Sequence, residues 1–217
     1  VTSTYTMFAG NTALKSVDLT DWDTSSLEDM TAMFTSCTNL IDPDVSDFNT
    51  KNLKVAQAVF SSCPALTSLD LSNWDTQNIE CMNGMFSDCK NLTSLNLSGF
   101  NFKKPATLSG MFASCSSLET IDFSNWNTAN IKTMTGMFEG CSSLTSLDLS
   151  SFDMSGIEYN YDPATYTGSF AGIDNMFLDC SALTSIRVGD AWILSSDVIA
   201  KSENVFDGCT KLVGGNG

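Results

Sequence analysis

The 217-residue sequence contains no histidine. That absence excludes the Ser-His-Asp and Cys-His forms of nucleophilic catalysis and removes the commonest zinc ligand. Basic residues are also scarce, since 10 Lys and Arg stand against 25 Asp and Glu and give a net charge of −15. Phosphate binding needs clustered cations, and Lys103-Lys104 is the only basic pair in the sequence. We therefore expect no nucleic-acid partner.

Long apolar runs are missing as well. No stretch approaches the length of a bilayer span, and no charged start precedes an apolar signal segment, so we expect no membrane insertion of this chain. The sequence begins at Val1 inside a repeat and ends on Gly214-Gly215-Asn216-Gly217, a pattern typical of a fragment. We expect a longer protein, whose targeting and anchoring segments would lie outside this sequence.

A motif of the form Met-Phe-x-x-Cys-x-x-Leu recurs along the chain, most clearly at 85–92 and 137–144. Its phenylalanines are Phe8, Phe34, Phe60, Phe86, Phe112, Phe138, Phe177 and Phe206. The first five intervals between them are 26 residues, and the last two are 39 and 29. A fixed period of this size indicates a repeat architecture. We predict one elongated domain over 1–217, built from about eight copies of one unit.

Two periodicities alternate inside each copy. Leu69 and Leu71 alternate with polar residues, as in a short strand, whereas Ile79, Met82 and Met85 recur at the spacing of a helix. A single copy cannot bury both apolar edges. The pattern predicts an α/β solenoid of 26-residue coils, with a parallel β-sheet on one face and short helical turns on the other. Pro43 lacks a backbone donor and should weaken the second strand.

Eight cysteines raise the question of disulfides or metal ligands. Seven of them keep the register of the repeat, namely Cys37, Cys63, Cys89, Cys115, Cys141, Cys180 and Cys209. Seven is an odd number, and parallel side chains on one column converge poorly for a bridge. We favour buried free thiols, which behave as small hydrophobic residues, over disulfides or a metal site.

The run Leu-x-x-Leu-x-Leu-x-x-Trp/Phe, as at 66–74, resembles the leucine-rich repeat. Joined to Asp-Thr, Met-x-x-Met-Phe-x-x-Cys and the 26-residue period, it is similar to the BspA-like leucine-rich repeat of bacterial surface proteins. The resemblance implies a curved, right-handed solenoid on the cell exterior, attached to the cell surface, with a role in adhesion or protein binding. It implies no catalytic residue and no cofactor.

The centre of each predicted strand carries an exposed polar residue, and five of these are carboxylates: Asp18, Asp44, Asp70, Asp122 and Asp148. Neighbouring strands would stack these groups about 4.8 Å apart. Each carboxylate pair then repels by roughly 0.8 kcal/mol in water before screening. Three interpretations stay open, namely a solvated polar face, a surface for a basic protein or peptide, and weak calcium binding.

Two further columns predict structural roles. The Asp or Asn after each strand aromatic, such as Asp75 after Trp74, is typical of a side chain that bonds nearby backbone amides. The aromatic column itself is Trp22, Phe48, Trp74, Phe100, Trp126, Phe152 and Trp192, and we expect it in the core.

An insertion of 13 residues between Phe152 and Phe177 holds three of the four tyrosines, Tyr159, Tyr161 and Tyr166. We place the inserted loop at about 156–168, beside the acidic face. It is either a surface loop without function or a partner-binding element, since tyrosine supplies large contact area at small entropic cost.

These features predict a non-catalytic, monomeric, extracellular adhesion module that binds a host or neighbouring-cell protein. The alternative is a passive spacer or stalk on the cell surface. No enzyme is expected, because the irregular copies add aromatic residues and no nucleophile with its base.

Overall fold

A computed structural model describes residues 1–104, 106–159 and 172–213. The chain forms a stack of coils, which we number 1 to 8 by the eight repeat phenylalanines. The regular elements are β1 (Ser68–Asp70), β2 (Ser94–Asn96), β3 (Ala106–Thr107), β4 (Ile131–Thr133), β5 (Ser146–Leu149), β6 (Ser185–Val188) and α1 (Ser196–Lys201). Strands of consecutive coils pair in parallel as β1-β2, β3-β4 and β5-β6. The solenoid of short parallel strands is thus confirmed.

The predicted strands lie in one line along the stack, which we call the strand ladder. Ser68, Leu69 and Asp70 of β1 pair with Ser94, Leu95 and Asn96 of β2. Likewise, β5 pairs with β6, with Asp148 beside Arg187. The register confirms that the central polar residues stack in these two pairs, Asp70 on Asn96 and Asp148 on Arg187. The ladder is less continuous than expected, because residues 120–123 of coil 5 take no strand conformation.

Pro43 interrupts the strand ladder in coil 2. Among the described residues, the strand segment of coil 2 makes one β-bridge, from Asp42 to Ser16 of coil 1. Asp42 lies directly before the proline. Immediately after it, Asp44 adopts a left-handed backbone with φ of 45°. Proline has no N–H to donate, so the weakening that we expected is present.

A second ladder, which the sequence pattern did not predict, runs along another side of the stack. Its residues are Ser3, Asp29, Val55, Cys81, Thr107, Thr133 and Gly172, linked as parallel bridges or through β3 and β4. The second ladder therefore joins consecutive coils from Ser3 to Gly172, including coils 2 and 3, between which the strand ladder is interrupted.

The predicted helical turns are wrong. Between the second ladder and the cysteine, the chain forms consecutive tight turns, such as Met33 N–H to Met30 O (3.1 Å) and Cys37 N–H to Phe34 O (3.0 Å). The remaining amides reach the next coil, as in Phe34 N–H to Val59 O at 2.9 Å. Two positions per coil have positive φ, for example Ala58 at 53° and Ser62 at 57°. Left-handed residues break a helix, which explains why the three-to-four spacing arises from turns.

Stacked aromatic rings fill the core. The repeat phenylalanines from Phe8 to Phe206 form seven consecutive stacked pairs, with centroids 5.3–5.8 Å apart. The Trp/Phe column is also mostly buried, and the indole of Trp74 donates to Val45 O at 3.0 Å. The prediction that the Trp/Phe column lies in the core is confirmed, except that Trp22 and Trp192 are half-buried. Among the repeat phenylalanines, the terminal Phe8 is half-buried and Phe206 is exposed.

The insertion begins later than we predicted. Ile157 is buried, Glu158 N–H bonds to Lys132 O at 3.0 Å, and the Lys132 ammonium pairs with the Glu158 carboxylate at 2.6 Å. These residues keep the regular register of coil 6, and Gly172 resumes it by pairing with Thr133. The 13 extra residues are therefore 159–171, of which 160–171 lie outside the described part of the chain. They follow Glu158 at the second ladder, and the predicted position of the loop beside the acidic face lies outside the described residues.

Candidate binding surface on the strand ladder

Four of the five predicted carboxylates, Asp18, Asp70, Asp122 and Asp148, are exposed on the strand ladder. Asp70 lies in β1 and Asp148 in β5, while Asp18 and Asp122 occupy the equivalent positions of coils without a strand. Successive side chains of a strand point to opposite faces, so these residues face solvent while Leu71 and Leu149 are buried behind them.

Each of these carboxylates is held by the residue two positions later. Asp70 Oδ1 accepts the N–H of Ser72 at 2.9 Å, and Asp122 and Asp148 accept from Ser124 and Ser150 at 2.8 and 3.0 Å. Hydrogen bonds from the Ser72 side chain and amide lower the pKa of Asp70. The equivalent bonds lower the pKa values of Asp18, Asp122 and Asp148. The column is consequently ionised at neutral pH, and its side chains have fixed orientations.

Two residues of the column relieve the repulsion between carboxylates. Asn96 Nδ2 donates to Asp70 Oδ2 at 3.1 Å, and Arg187 Nη1 approaches Asp148 Oδ2 at 3.5 Å. Asp122 and Asp148 occupy consecutive coils, and the charge of Asp148 opposes the lowering of the Asp122 pKa. The remaining negative charge is thus concentrated at coils 1 to 3 and at coil 5.

Asp44 departs from the column. Its Oδ2 turns back to coil 1, where it accepts from Leu19 N–H at 3.3 Å and from Thr20 Oγ1 at 3.4 Å. The carboxylate thereby replaces a ladder acceptor for coil 1. The prediction that Asp44 presents a free carboxylate in line with its neighbours is wrong.

A cavity of about 520 Å³ opens where coil 2 leaves the ladder. Its wall combines Ile41, Asp42 and Pro43 of coil 2 with Leu69 and Asp70 of coil 3. Ile41 is 58% exposed, so it offers an aliphatic surface at this point. Acidic and apolar groups therefore meet at one point of the strand ladder.

The Asp or Asn after the strand aromatic has the predicted capping role in coils 1, 2, 3, 5 and 6, whereas the buried Oδ1 of Asn101 in coil 4 has no hydrogen-bond partner among the described residues. Asp75 Oδ1 accepts the N–H of Gln77 at 3.0 Å, and Asp153 Oδ1 accepts that of Ser155 at 2.9 Å. The sequence analysis missed the adjacent threonines. Thr76 is fully buried, and its Oγ1 accepts Asn101 N–H at 2.7 Å and donates to Asn101 O at 3.2 Å, across the coil boundary. The recurring Asp-Thr pair in the sequence could have indicated this structural role of the threonines.

The cysteines are free thiols, as predicted, and six of the seven that keep the register are buried. Burial raises the pKa values of Cys89 and Cys180 to about 12. A thiol with so high a pKa carries little thiolate at neutral pH and is a poor nucleophile.

Of the three tyrosines assigned to partner binding, Tyr161 and Tyr166 lie outside the described residues. Tyr159 packs partly buried against the hydrophobic core, and the Lys201 ammonium of α1 lies 5.1 Å from its ring centroid. This contact gives Tyr159 a packing role that the sequence did not indicate.

Within the described ranges, no three Asp, Glu or Cys side chains lie close enough together to hold a metal ion. In the same part of the chain, no helix has the length and apolar character needed to cross a membrane.

A family model described as "Mycoplasma protein of unknown function, DUF285" matches residues 2–120, 56–176 and 93–214. The chain belongs to this family. No curated protein is significantly similar to it.

The leucine-rich repeat protein from Bacteroides ovatus aligns with a TM-score of 0.50 and 16% identity, over 91% of this chain and 47% of that protein. The chain thus spans about half the length of this structural relative. The T. pallidum leucine-rich repeat protein has a TM-score of 0.44 at 19% identity, covering 80% of this chain and 77% of its own. The leucine rich cell surface protein from Faecalibacterium prausnitzii has a TM-score of 0.41 at 18% identity, covering 96% and 74%. The Bacteroides ovatus structure supports a leucine-rich-repeat fold alone.

Proposed function

We propose that this DUF285 chain is a non-catalytic, extracellular protein-binding unit of a bacterial surface protein. Its acidic strand ladder contacts a basic region of a host or neighbouring-cell protein. The observation that carries this proposal is the column of exposed, ionised and oriented carboxylates, Asp18, Asp70, Asp122 and Asp148. The location at the cell surface rests on the resemblance to BspA-like repeats.

Electrostatics favours a basic partner for this surface. The net charge of −15 attracts cations over a distance comparable with the Debye length, about 8 Å at physiological ionic strength. Such a field raises association rates and discriminates against acidic partners. The turns that hold each carboxylate also reduce the entropy lost on binding, because the side chains are already oriented.

A rigid spacer is the second candidate function. The uninterrupted phenylalanine stack and the continuous second ladder support it, since they join successive coils in the same way. A spacer needs no recognition surface, so the two functions differ in what the strand-ladder carboxylates do.

Bead adhesion tests the proposal. Fluorescent beads carrying the chain are counted on cultured epithelial cells and on layers of other bacterial cells, at low and high NaCl. In the test variant, Asp70, Asp122 and Asp148 are changed to Asn, which keeps the Oδ1 acceptor and removes three charges. In the matched control, Glu80, Glu139 and Glu203 are changed to Gln, which removes three charges away from the strand ladder.

We expect the parent and control beads to adhere in a salt-sensitive manner and the Asp→Asn beads to lose at least about tenfold in bound number. Equal adhesion of all three would contradict the acidic ladder as the binding surface. Absence of adhesion by any of them would favour the spacer.

A further inference from the structure

The cavity beside Pro43 has the features of a specific subsite within the acidic ladder. We propose that it receives a lysine or arginine side chain from an extended segment of the partner protein, with an aliphatic residue next to it. This inference rests on the proposed function and assigns a position and a side-chain chemistry to it.

The first supporting feature is an open strand edge. Leu71 N–H bonds to Asn96 O at 2.9 Å, and Ser94 N–H to Thr67 O at 3.3 Å, so the odd-numbered residues of coil 3 face coil 4. Backbone groups alternate in direction along a strand, so Ser68 and Asp70 face coil 2. Among the described residues, no backbone hydrogen bond joins 41–46 to 67–72. Ser68 and Asp70 therefore direct their N–H and C=O groups at the cavity.

The second feature is the displacement of coil 2. Pro43 has no N–H for the carbonyl of Ser68, and the left-handed Asp44 turns its side chain to Leu19 of coil 1. The cavity between coils 2 and 3 is thus a consequence of the sequence of coil 2. Coil 3, which carries Leu69 at the position of Pro43, pairs normally with coil 4.

The third feature is the chemistry of the wall. Asp42 and Asp70 supply carboxylates, the open edge supplies carbonyls, and none of the lining residues is basic. One oxygen of Asp42 accepts Asp44 N–H at 3.2 Å, and Asp70 keeps bonds to Ser72 and Asn96, so both groups are oriented. An ammonium or guanidinium group supplies the several donors that such a set of acceptors requires.

The apolar part of the wall distinguishes a side chain from a free ion. Ile41 and the half-buried Leu69 border the same space. Lysine and arginine bury their aliphatic stems on apolar surface while the charged end meets polar groups. The N–H groups of Ser68 and Asp70 can donate to carbonyls of an extended peptide, as when a strand adds to an open edge. The occupant that satisfies all of these groups is a basic, extended peptide with a neighbouring aliphatic residue.

An NMR titration tests the assignment. The ¹⁵N-labelled chain is titrated with the peptide acetyl-Ser-Ile-Lys-Ile-Ser-amide, and with the same peptide carrying norleucine in place of lysine. We expect amide shifts at Ile41, Asp42, Ser68 and Asp70 with the lysine peptide, and at least about tenfold weaker affinity for the norleucine peptide.

Two variants of the full chain locate the site. Pro43→Leu gives coil 2 the N–H that it lacks for the carbonyl of Ser68, without changing any charge. We expect this variant to close the cavity and to weaken lysine-peptide binding at least about tenfold. Asp42→Asn removes one carboxylate without altering the backbone and should weaken binding about tenfold. Pro64→Ala, a proline outside the cavity, is the control and should bind as the parent does.

Shifts at the same amides with calcium chloride alone would show a cation site and overturn the proposal. Unchanged peptide affinity in both Pro43→Leu and Asp42→Asn would also overturn it. The bead assay separates this subsite from the proposed function. If Pro43→Leu beads still adhere while the triple Asp→Asn beads do not, the subsite is rejected and the proposed function stands.

Discussion

The thiol of Cys89 donates a hydrogen bond to the backbone carbonyl of Phe60, one coil earlier in the stack, at 3.0 Å. The same contact recurs from Cys37 to Phe8 through Cys209 to Phe177, at 3.0 to 3.1 Å. The phenylalanine carbonyl also accepts an amide of its own turn, as Phe34 O does from Cys37 N–H at 3.0 Å, so the thiol of the next coil is a second donor to it inside the core. Cysteine is small and apolar and carries a weak donor, so it fits this position without a polar cost.

The first prediction concerns thiol reactivity. Native protein without reductant should label rapidly only at Cys81 and Cys209, the two half-buried cysteines, and all eight should label after denaturation. Because burial raises the pKa of Cys89 to about 12, its thiolate is scarce below that pH. Mass spectrometry of labelled peptides measures this order. Fewer than eight free thiols in the denatured protein would show disulfides that the structure does not contain.

The second prediction concerns the phenylalanine stack. Phe112 is fully buried and stacks on both neighbouring rings, at 5.8 and 5.7 Å, so Phe112→Ala should cost about 3 to 5 kcal/mol of unfolding free energy. Phe206, 50% exposed with one stacked neighbour, is the control and should cost much less. Denaturant unfolding measures both. Equal losses would mean that stacking position does not determine the cost.

The spacing of phenylalanine and cysteine was sufficient to predict the coils, their register and the buried columns. It was not sufficient to predict the second ladder or the tight turns. Apolar residues at Ile79, Met82 and Met85 fit one face of a helix, and a series of turns places them on one side equally well. The available signal was the column of Gly84, Gly110 and Gly136, which tolerates positive φ and is helix-breaking. Alanine in coils 2 and 3 obscured that column.

Some features of the candidate binding surface could likewise be predicted from the sequence, and others could not. The exposed carboxylates followed from strand alternation, since Asp70 lies between Leu69 and Leu71. The sequence did not predict that the Asp44 side chain turns back to coil 1. That orientation depends on which backbone groups of coil 1 lack a partner once Pro43 interrupts the ladder. Similarly, the true start of the insertion depends on the ion pair between Lys132 and Glu158, which adjacent residues in the sequence do not reveal.

The third prediction concerns the left-handed column. Gly110 has φ of 61°, and an added Cβ would meet only Ala113 at 3.8 Å, so Gly110→Ala should cost about 1 to 2 kcal/mol from backbone strain alone. Ala58 has a positive φ of 53°, so the reverse substitution, Ala58→Gly, removes this strain and should be neutral or slightly stabilising. Thermal unfolding of the two variants checks the opposite signs. A loss of stability in Ala58→Gly would argue against strain at that residue.

Gly99 provides a contrast to this prediction. It has no positive φ, but an added Cβ would collide with the carbonyl oxygen of Ser72 in the preceding coil. Gly99→Ala should therefore be more destabilising than Gly110→Ala, because two backbones must separate.

The fourth prediction concerns pH. The pKa values of Asp70, Asp122 and Asp148 are lowered in the folded protein, so they contribute stability that is present above the unfolded pKa, near 4. It is lost as pH falls through the folded values. Burial raises the pKa of Asp174, so its effect on stability has the opposite pH dependence. The stability that it contributes is present below the unfolded pKa and is lost as pH rises through the folded pKa.

Two substitutions separate these signs. Asp174→Asn keeps an acceptor for Glu203 N–H and should stabilise the protein at pH 7, with the gain disappearing below about pH 4. Asp70→Asn should slightly destabilise the protein at pH 7 and have no effect at low pH. Unfolding measured at both pH values decides the matter. The same sign for both variants at pH 7 would contradict the assignment.

The fifth prediction concerns the insertion. Deleting 159–171 joins Glu158 to Gly172 and restores a 26-residue coil, so the shortened chain should fold. It should lose modest stability, because Tyr159 packs on the core and on Lys201. The assigned binding role of Tyr159, Tyr161 and Tyr166 predicts reduced bead adhesion as well. Unchanged adhesion would remove the tyrosines from the binding surface and leave the strand ladder as its location.

The two ladders also determine how the protein responds to mechanical load. Each coil is joined to its neighbours by residues about 26 positions apart, and these contacts lie along the direction of stacking. Tension applied to the chain ends would peel coils from an end one at a time, instead of shearing the whole domain at once. Each event would release roughly 90 Å of extended chain, at about 3.4 Å per residue. A cell held to a surface through such a chain would have an extensible tether that lengthens stepwise under flow and shortens when the load falls.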